Sequence, residues 1–485
     1  MGVYMNNFSD CDIKQIQSHG LTVDTVIKQL SDFKSGFPYS DIVSACVVGN
    51  GAFNYDNQLD KYIDLYDTNC NEYNIVKFVP ASGAATRMFK DLFEFLSSGQ
   101  INNTTQTVLD NITRFAFWND LKKILPENAS DTDKIKYLIT DIGLNYGNRP
   151  KGLLQFHKYN DECRTAVAEH LIEGALYACA NDTVRIHFTV SPEHISAFNN
   201  LLTNIIPIYE QKFGIKYDIS MSVQKPQTDT IAVNMDNTPF RNDDGTLLFR
   251  PAGHGALIEN LNDINADIIF IKNIDNICPD HMRDDTVKYK KLIGGILIET
   301  QNKIFEYLNA LDNNTANIEE ITNFINSVLH ITMPDAPNIE ILRTILNRPL
   351  RICGIIKNAG APGGGPFLVR DTDGMVCPQI VEPGQIAPEQ ISILHDGEFF
   401  SPTDIICGTR DYKGNKFNLI EHIDETAGFI STKSKNGRDL RAMERPGLWN
   451  GAMAKWNTIF VITPSTTFTP AKTILDLITP DHLAK

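Results

Sequence analysis

Phe78-Val79-Pro80-Ala81-Ser82-Gly83-Ala84-Ala85-Thr86-Arg87-Met88-Phe89-Lys90 closes an apolar run that begins at Ile75. A small-residue loop follows the run, then a Thr-Arg pair, then a segment with helical spacing (Met88, Leu92, Phe93, Leu96). A strand that ends in such a loop before a helix is the unit from which α/β sheets are built. The loop also has the chemistry of an anion site. Small side chains let backbone N–H groups approach, the helix start favours negative charge, and Arg87 adds a forked donor.

The same alternation continues along the chain. Val184 to Val190 and Lys216 to Val223 alternate like half-buried strands, and Ala266 to Ile271 is continuously apolar, as in a strand covered on both faces. Arg351 to Ile356, Pro366 to Arg370 and Thr458 to Thr463 read as further strands, and Asp161 to Ala180 reads as a helix. The expected fold class is therefore α/β: a Rossmann-like, mixed, mainly parallel sheet with helices on both faces. Three regions are expected: an N-terminal helical segment (1–70), a core (71–400) with a helical insertion at about 99–148, and a C-terminal part (401–485).

Composition narrows the class. The 485 residues are 42% hydrophobic and 21% charged, an ordinary soluble globular profile. A net charge of -15 argues against non-specific nucleic-acid binding, which depends on neutralising phosphates. Nine scattered cysteines without a C-x-x-C pair support neither a zinc ribbon nor a thioredoxin-like motif. Their odd number fits reduced thiols and a cytoplasmic setting. No signal peptide and no stretch approaching ~20 apolar residues is visible, so no membrane span is expected.

Five segments carry the polar chemistry. The first is the loop at 80–87, which is neither a Walker A sequence nor a G-x-G-x-x-G fingerprint. The second is Arg149-Pro150-Lys151-Gly152, where Lys151 offers a compact positive charge. The third is Gln224-Lys225-Pro226, with an amide able to read a base edge. The fourth is Gly253-His254-Gly255, where absent Cβ atoms allow close approach to a flat ligand. The fifth is Lys272-Asn273-Ile274-Asp275-Asn276, which places Asp275 just past the carboxyl end of a buried strand. Each alone also has a purely structural reading: a strand-to-helix turn, surface charge, a polar strand end, a helix-capping turn and a capping Asp.

Taken in order, the five resemble the UDP-sugar pyrophosphorylase group of nucleotidyltransferases, with its G-x-G-T-R, P-K-G, Q-x-x-P, G-[NH]-G and V-D-N segments. Gln379-Ile380-Val381-Glu382 resembles the sugar-binding strand of the acetylglucosamine branch, and Leu448-Trp449-Asn450-Gly451 loosely resembles the group's N-I-x-N sugar contact. Phe468-Thr469-Pro470-Ala471-Lys472-Thr473 is similar to the tail in which a lysine reaches the phosphates. The chain is at its closest similar to a bacterial family known from Bacteroidetes that shares these motifs.

The resemblance implies a nucleotide-diphospho-sugar transferase fold of GT-A type. It also implies transfer of UMP from UTP to a sugar 1-phosphate, with Mg²⁺ as cofactor. In that reading Arg87, Lys151 and Lys472 are catalytic, and Asp275 is the metal ligand. Ala81, Ser82, Gly83, Thr86, Gln224, Gly253 and His254 bind the nucleotide, while Glu382 and Asn450 bind the sugar. The expected partners are a nucleoside triphosphate and a sugar 1-phosphate, with neither nucleic acid nor membrane. There are departures: Gly83-Ala84-Ala85 replaces G-x-G, and about 60 residues separate Arg87 from Lys151. His254 stands where Asn is commoner, and Lys225 adds a charge beside Gln224. Two alternatives follow: a catalytically silent nucleotide- or glycan-binding protein on the same fold, or a glycosyltransferase that uses a UDP-sugar.

Overall fold

The structure, a computed structural model, describes residues 8–83, 85–334, 337–360, 363–445 and 451–484, with His254, His395 and Asp396 described by their backbone alone. Among the described residues, eleven strands form the main sheet. In chain order they are β1 (Val47–Val48), β2 (Gly51–Phe53), β3 (Ile75–Pro80), β4 (Cys179–Ala180), β5 (Thr183–Thr189) and β6 (Lys216–Ser222). The rest are β7 (Ile268–Lys272), β8 (Leu350–Lys357), β9 (Phe399–Phe400), β10 (Asp404–Gly408) and β11 (Asn457–Ile462). The sheet order is β1-β2-β11-β8-β10-β7-β3-β5-β4, with β6 beside β5 and β9 beside β8.

The sheet is mixed and mostly parallel. β7, β3, β5 and β6 run parallel to one another, as do β8, β11, β2 and β1, while β4 and β9 pair antiparallel with β5 and β8. β10 lies antiparallel between β7 and β8 and joins these two parallel groups. The chain leaves β3 to build β5 and β6 on one side, then returns to lay β7 on the other. The crevice between β3 and β7 is thus a topological switch point, where open α/β sheets bind ligands at the carboxyl ends of their strands.

Alternation along β7 shows why both faces are covered. Ile268 and Phe270 pack with Leu292, Ile296 and Leu297 of the helix Arg283–Asp312. Ile269 and Ile271 pack with Leu257, Ile258 and Leu261 of the helix Leu257–Asp263. A two-residue period that feeds two separate apolar clusters requires a helical layer on each side. Among the described residues no helix is long and apolar enough to cross a membrane.

The expected helical stretch 99–148 contains Asn103–Asp110, Trp118–Ile124 and Asp131–Ile139, packed on the helix Lys90–Ser98 through Leu92, Val108, Leu121 and Leu138. The N-terminal stretch differs from expectation. After helices Asp10–Ser18 and Val23–Ser35 it turns to strands over 41–53, so residues 1–70 are not wholly helical. Asp41–Ala45 pairs with Gly365–Arg370, and β2 pairs with β11, each more than 300 residues away in sequence. Distant partners override local pattern in short strands. Gly365–Arg370 itself belongs to a separate three-stranded sheet with Asp41–Ala45 and Val376–Val381. The helix expected from Asp161 starts at Ala166, because Cys163–Thr165 pairs as a strand and Thr165 caps the helix. Strands β10 and β11, beyond residue 400, pair within the main sheet.

The N-terminal helices are tied down by a buried carboxylate. Asp12 closes a capping box with Ser9 and accepts two hydrogen bonds from the Arg241 guanidinium, at 2.8 and 2.9 Å. The Arg241 bonds hold its pKa down at about 2 against the smaller opposing effect of burial. A carboxyl depressed by folding stabilises above its unfolded value, about 4, and the gain is lost as pH falls through the folded value. Asp12→Asn is therefore expected to destabilise the protein near neutral pH, with the gap to wild type narrowing below about pH 4 and closing near pH 2. Denaturant melts across that range measure it, and a gap independent of pH would show that the carboxylate's charge is not what holds the helix.

Candidate functional site

The loop after β3 is fixed from several directions. Ala81 N–H donates to Thr189 O at 2.9 Å, and Ser191 Oγ donates to Ser82 O at 3.0 Å. Ala85 N–H donates to Arg149 O at 3.0 Å, Lys151 N–H to Gly83 O at 3.4 Å, and Thr86 Oγ to Gly147 O at 3.1 Å. These bonds bring the Pro150-Lys151-Gly152 segment against the loop, although the helical insertion lies between them in sequence. Gly152 lets the segment pack down, because a Cβ there would lie 2.8 Å from the Phe198 ring.

The turn after β7 joins the same assembly. Ile274 N–H donates to Pro80 O at 3.3 Å, and Ala471 N–H donates to Asp275 O at 3.0 Å. Thr469 N–H donates to Asn276 Oδ1 at 2.9 Å. Segments from four distant parts of the chain therefore meet at the switch point. They surround a cavity of about 780 Å³, within the usual size for a small-molecule site.

Nine expected residues line it: Ser82, Gly83, Thr86, Arg87, Lys151, Gln224, Gly253, Asp275 and Lys472. Pro80, Pro251, Leu257, Asn273 and Ile274 complete the wall. Asp275 is 6% exposed and sits between two ammonium groups. Its Oδ2 accepts from Lys151 Nζ at 2.8 Å and from Lys472 Nζ at 3.1 Å. Burial pushes the Asp275 carboxyl up, but Lys151 and then Lys472 outweigh that and hold it below the usual carboxylate range. Lys151 also donates to Ala471 O at 2.9 Å, so it links the β7 turn to the C-terminal segment. Arg87 lines the cavity without a hydrogen bond or ion pair to any described residue.

The other expected residues fall as follows. Ala81 is buried beneath the loop and does not line the cavity. Glu382 caps the turn Pro383–Gln385 with its carboxylate and is not part of the cavity wall. Asn450 lies outside the described residues. His254 sits in the turn Gly253–Ala256, which bounds the cavity through Gly253. Gly253 has φ +71°, and a Cβ there would lie 3.0 Å from Glu444 Oε2, so backbone strain and space both favour glycine. Lys225, the charge expected beside Gln224, is directed away from the ligand space to Asp263 at 2.7 Å and Glu259 at 3.6 Å.

A second group of charges lies behind the cavity and was not foreseen. Lys77 on β3 and Lys272 on β7 are fully buried and share Glu173 of the helix Ala166–Tyr177, at 3.0 and 2.7 Å. Burial works against the Glu173 charge, but Lys272 and Lys77 more than compensate and keep the carboxyl well below its usual value. Burial pulls the Lys77 ammonium down. His170, kept neutral by burial and then by the Lys77 charge, donates through Nε2 to Ile274 O at 3.2 Å. This bond fixes the turn that presents Asp275. The sequence signal was a lysine inside each of two apolar strands, Ile75-Val76-Lys77-Phe78 and Phe270-Ile271-Lys272, opposite a glutamate in an apolar helix.

Fold and site together define an α/β protein with a cationic cavity at the switch point of a mostly parallel sheet. The chain belongs to the family described as "Domain of unknown function (DUF4301)", whose model matches residues 9–483. No curated protein matches it. Among solved structures it is similar to a UDP-glucose pyrophosphorylase from Leishmania major in complex with UDP-glucose, at 13% identity and a TM-score of 0.46, covering 97% of this chain and 80% of that one. It is also similar to a uridine diphosphate N-acetylglucosamine pyrophosphorylase from Trypanosoma brucei, at 10% identity and a TM-score of 0.47, covering 97% of this chain and 79% of that one.

The shared glutamate makes an asymmetric prediction. Lys77→Met leaves a one-to-one Lys272–Glu173 pair and is expected to change stability by no more than about 1 kcal/mol. Glu173→Leu strands two buried ammonium groups and is expected to cost at least about 3 kcal/mol. Chemical denaturation of both variants tests this, and equal losses would contradict it.

Proposed function

We propose that the cavity binds a nucleoside triphosphate, with UTP as the first choice, and transfers its nucleotidyl group to a sugar 1-phosphate. The observation that carries this reading is the convergence of Arg87, Lys151, Lys472 and Asp275 on one cavity beside Gln224 and Gly253. Three cations and one carboxylate leave a net positive wall suited to a polyphosphate. The uncharged set of Gln224, Pro251, Gly253 and Leu257 suits a neutral base. The order of these motifs along the chain is that of the UDP-sugar pyrophosphorylase group.

In this reading an oxygen of the sugar phosphate forms a bond to the α-phosphorus. The bond from the α-phosphorus to the bridging oxygen breaks, and its electron pair leaves with pyrophosphate. The attacking phosphate is already ionised, so no general base is needed. Arg87 holds the β- and γ-phosphates. Lys151 faces the α-phosphate, where negative charge grows in the transition state. Lys472, at the cavity rim, neutralises the incoming sugar phosphate. Most of the rate comes from positioning and charge neutralisation.

The fit to Mg²⁺ depends on the substrate. Among the described residues no group of three or more acidic, His or Cys side chains forms a complete metal cage. A single carboxylate with substrate phosphates is an ordinary Mg²⁺ arrangement, and Asp275 supplies that carboxylate. When bound, the ion would neutralise phosphate charge. Outside the cavity wall, Asn450 and Glu382 are assigned to the sugar on motif resemblance alone.

Purified protein with Mg²⁺, each nucleoside triphosphate and a panel of sugar 1-phosphates is expected to release pyrophosphate most rapidly with UTP. Lys151→Ala and Asp275→Ala are each expected to lower turnover at least ~100-fold, the cost of one preorganised transition-state contact. Near-normal rates in both variants would refute the assignment. The altered loop at Gly83 to Ala85 favours one other reading, a silent binding protein. Calorimetric UTP binding without pyrophosphate release across the panel would select it.

A further inference from the structure

The carboxylate assigned to the metal is already engaged. Lys151 Nζ and Lys472 Nζ both contact Asp275 Oδ2, and Lys472 also lies 3.4 Å from Oδ1. A divalent cation approaching this carboxylate meets two ammonium groups at contact distance, and in a buried setting that repulsion is poorly screened. The tethers are unequal. The Lys472 side chain is 58% exposed on a flexible stem, whereas the Lys151 side chain is 14% exposed and anchored again at Ala471 O. Arg87 is the cavity cation without a protein partner among the described residues, so it is free to meet an anion first.

We propose that Asp275 is an electrostatic latch: it holds Lys151 and Lys472 and admits a divalent cation only after a polyphosphate has drawn those ammonium groups onto its own oxygens. The inference rests on the nucleotide reading given above and adds an order of events to it. Arg87 captures the anion. Lys472 swings from Asp275 to the phosphate, and Lys151 follows while keeping its bond to Ala471 O. The freed carboxylate then faces phosphate oxygens, and the two together form the cation site that neither makes alone. Metal and polyphosphate therefore bind with positive coupling, and the coupling is reciprocal.

The test uses the full chain, Mn²⁺ alone and inorganic tripolyphosphate, a probe that does not depend on the base. Equilibrium dialysis reports Mn²⁺ uptake, and calorimetry reports tripolyphosphate binding in EDTA and in excess Mn²⁺. Wild type is expected to take up no Mn²⁺ at this site alone and to bind tripolyphosphate in EDTA. Excess Mn²⁺ is expected to tighten that binding at least about tenfold, a gain that Asp275→Asn loses. Lys472→Ala, an exposed substitution, is expected to show measurable Mn²⁺ uptake alone, where wild type shows none. Wild-type Mn²⁺ uptake without phosphate that disappears in Asp275→Asn would overturn the latch and leave the nucleotide reading standing, as would Lys472→Ala uptake equal to wild type. Absence of tripolyphosphate binding under both conditions would instead overturn the nucleotide reading itself, and the latch with it.

Discussion

Glu173 between Lys77 and Lys272 is the constraint on which the site depends. Two lysines on neighbouring parallel strands point to the same face of the sheet, Lys77 in the middle of β3 and Lys272 as the last residue of β7. Without the glutamate, two desolvated ammonium groups would push β3 and β7 apart where the cavity loops leave them. With it, the middle of β3 and the carboxyl end of β7 are cross-linked through the overlying helix. Hydrophobic contacts hold the rest of these strands, but they do not specify orientation. A bidentate, buried ionic contact does, at a cost in desolvation.

That cross-link reaches the cavity through one more residue. His170 stands one helical turn before Glu173, donates to Ile274 O, and so fixes the turn whose next residue is Asp275. The ionic cluster behind the sheet and the Asp275–Lys151–Lys472 cluster in front of it are thus two sides of one short piece of backbone. The C-terminal segment is anchored to the same backbone by Ala471 N–H on Asp275 O. Elements far apart in sequence are held in place because they are tied both to residues 274–276 and to one another, the loop to the Lys151 segment and Lys151 to Ala471 O.

Legibility in the sequence followed the range of the interactions. The strand at 75–80, the loop after it and Asp275 past the end of an apolar run were readable because periodicity and loop chemistry are local. Assembly of Arg87, Lys151, Gln224, Gly253, Asp275 and Lys472 into one cavity was legible only through the order of motifs, since no single segment fixes its neighbours. The strands at 41–53 were not legible: they are two to five residues long, and Asp41–Ala45 and β2 find partners past residue 360. Lys77 and Lys272 were visible as polar interruptions of apolar strands, but their meaning required Glu173, almost 100 residues from each. Gly253 was assigned to close ligand approach, and the structure adds a second reason, its contact with Glu444 from a distant hairpin.

An acidic chain with a cationic cavity is not a contradiction, because screening separates the two scales. At physiological salt, exposed charges are felt over roughly 8 Å. The formal -15 is a sum over the whole chain, and exposed charges beyond that range contribute little inside a concave site. Within the cavity Arg87, Lys151 and Lys472 stand against Asp275 alone among the charged residues of its wall. A compact polyanion that enters meets this local excess rather than the charge of the whole surface. The discriminating quantity is where the positive groups converge, which the sheet topology sets at the crevice between β3 and β7.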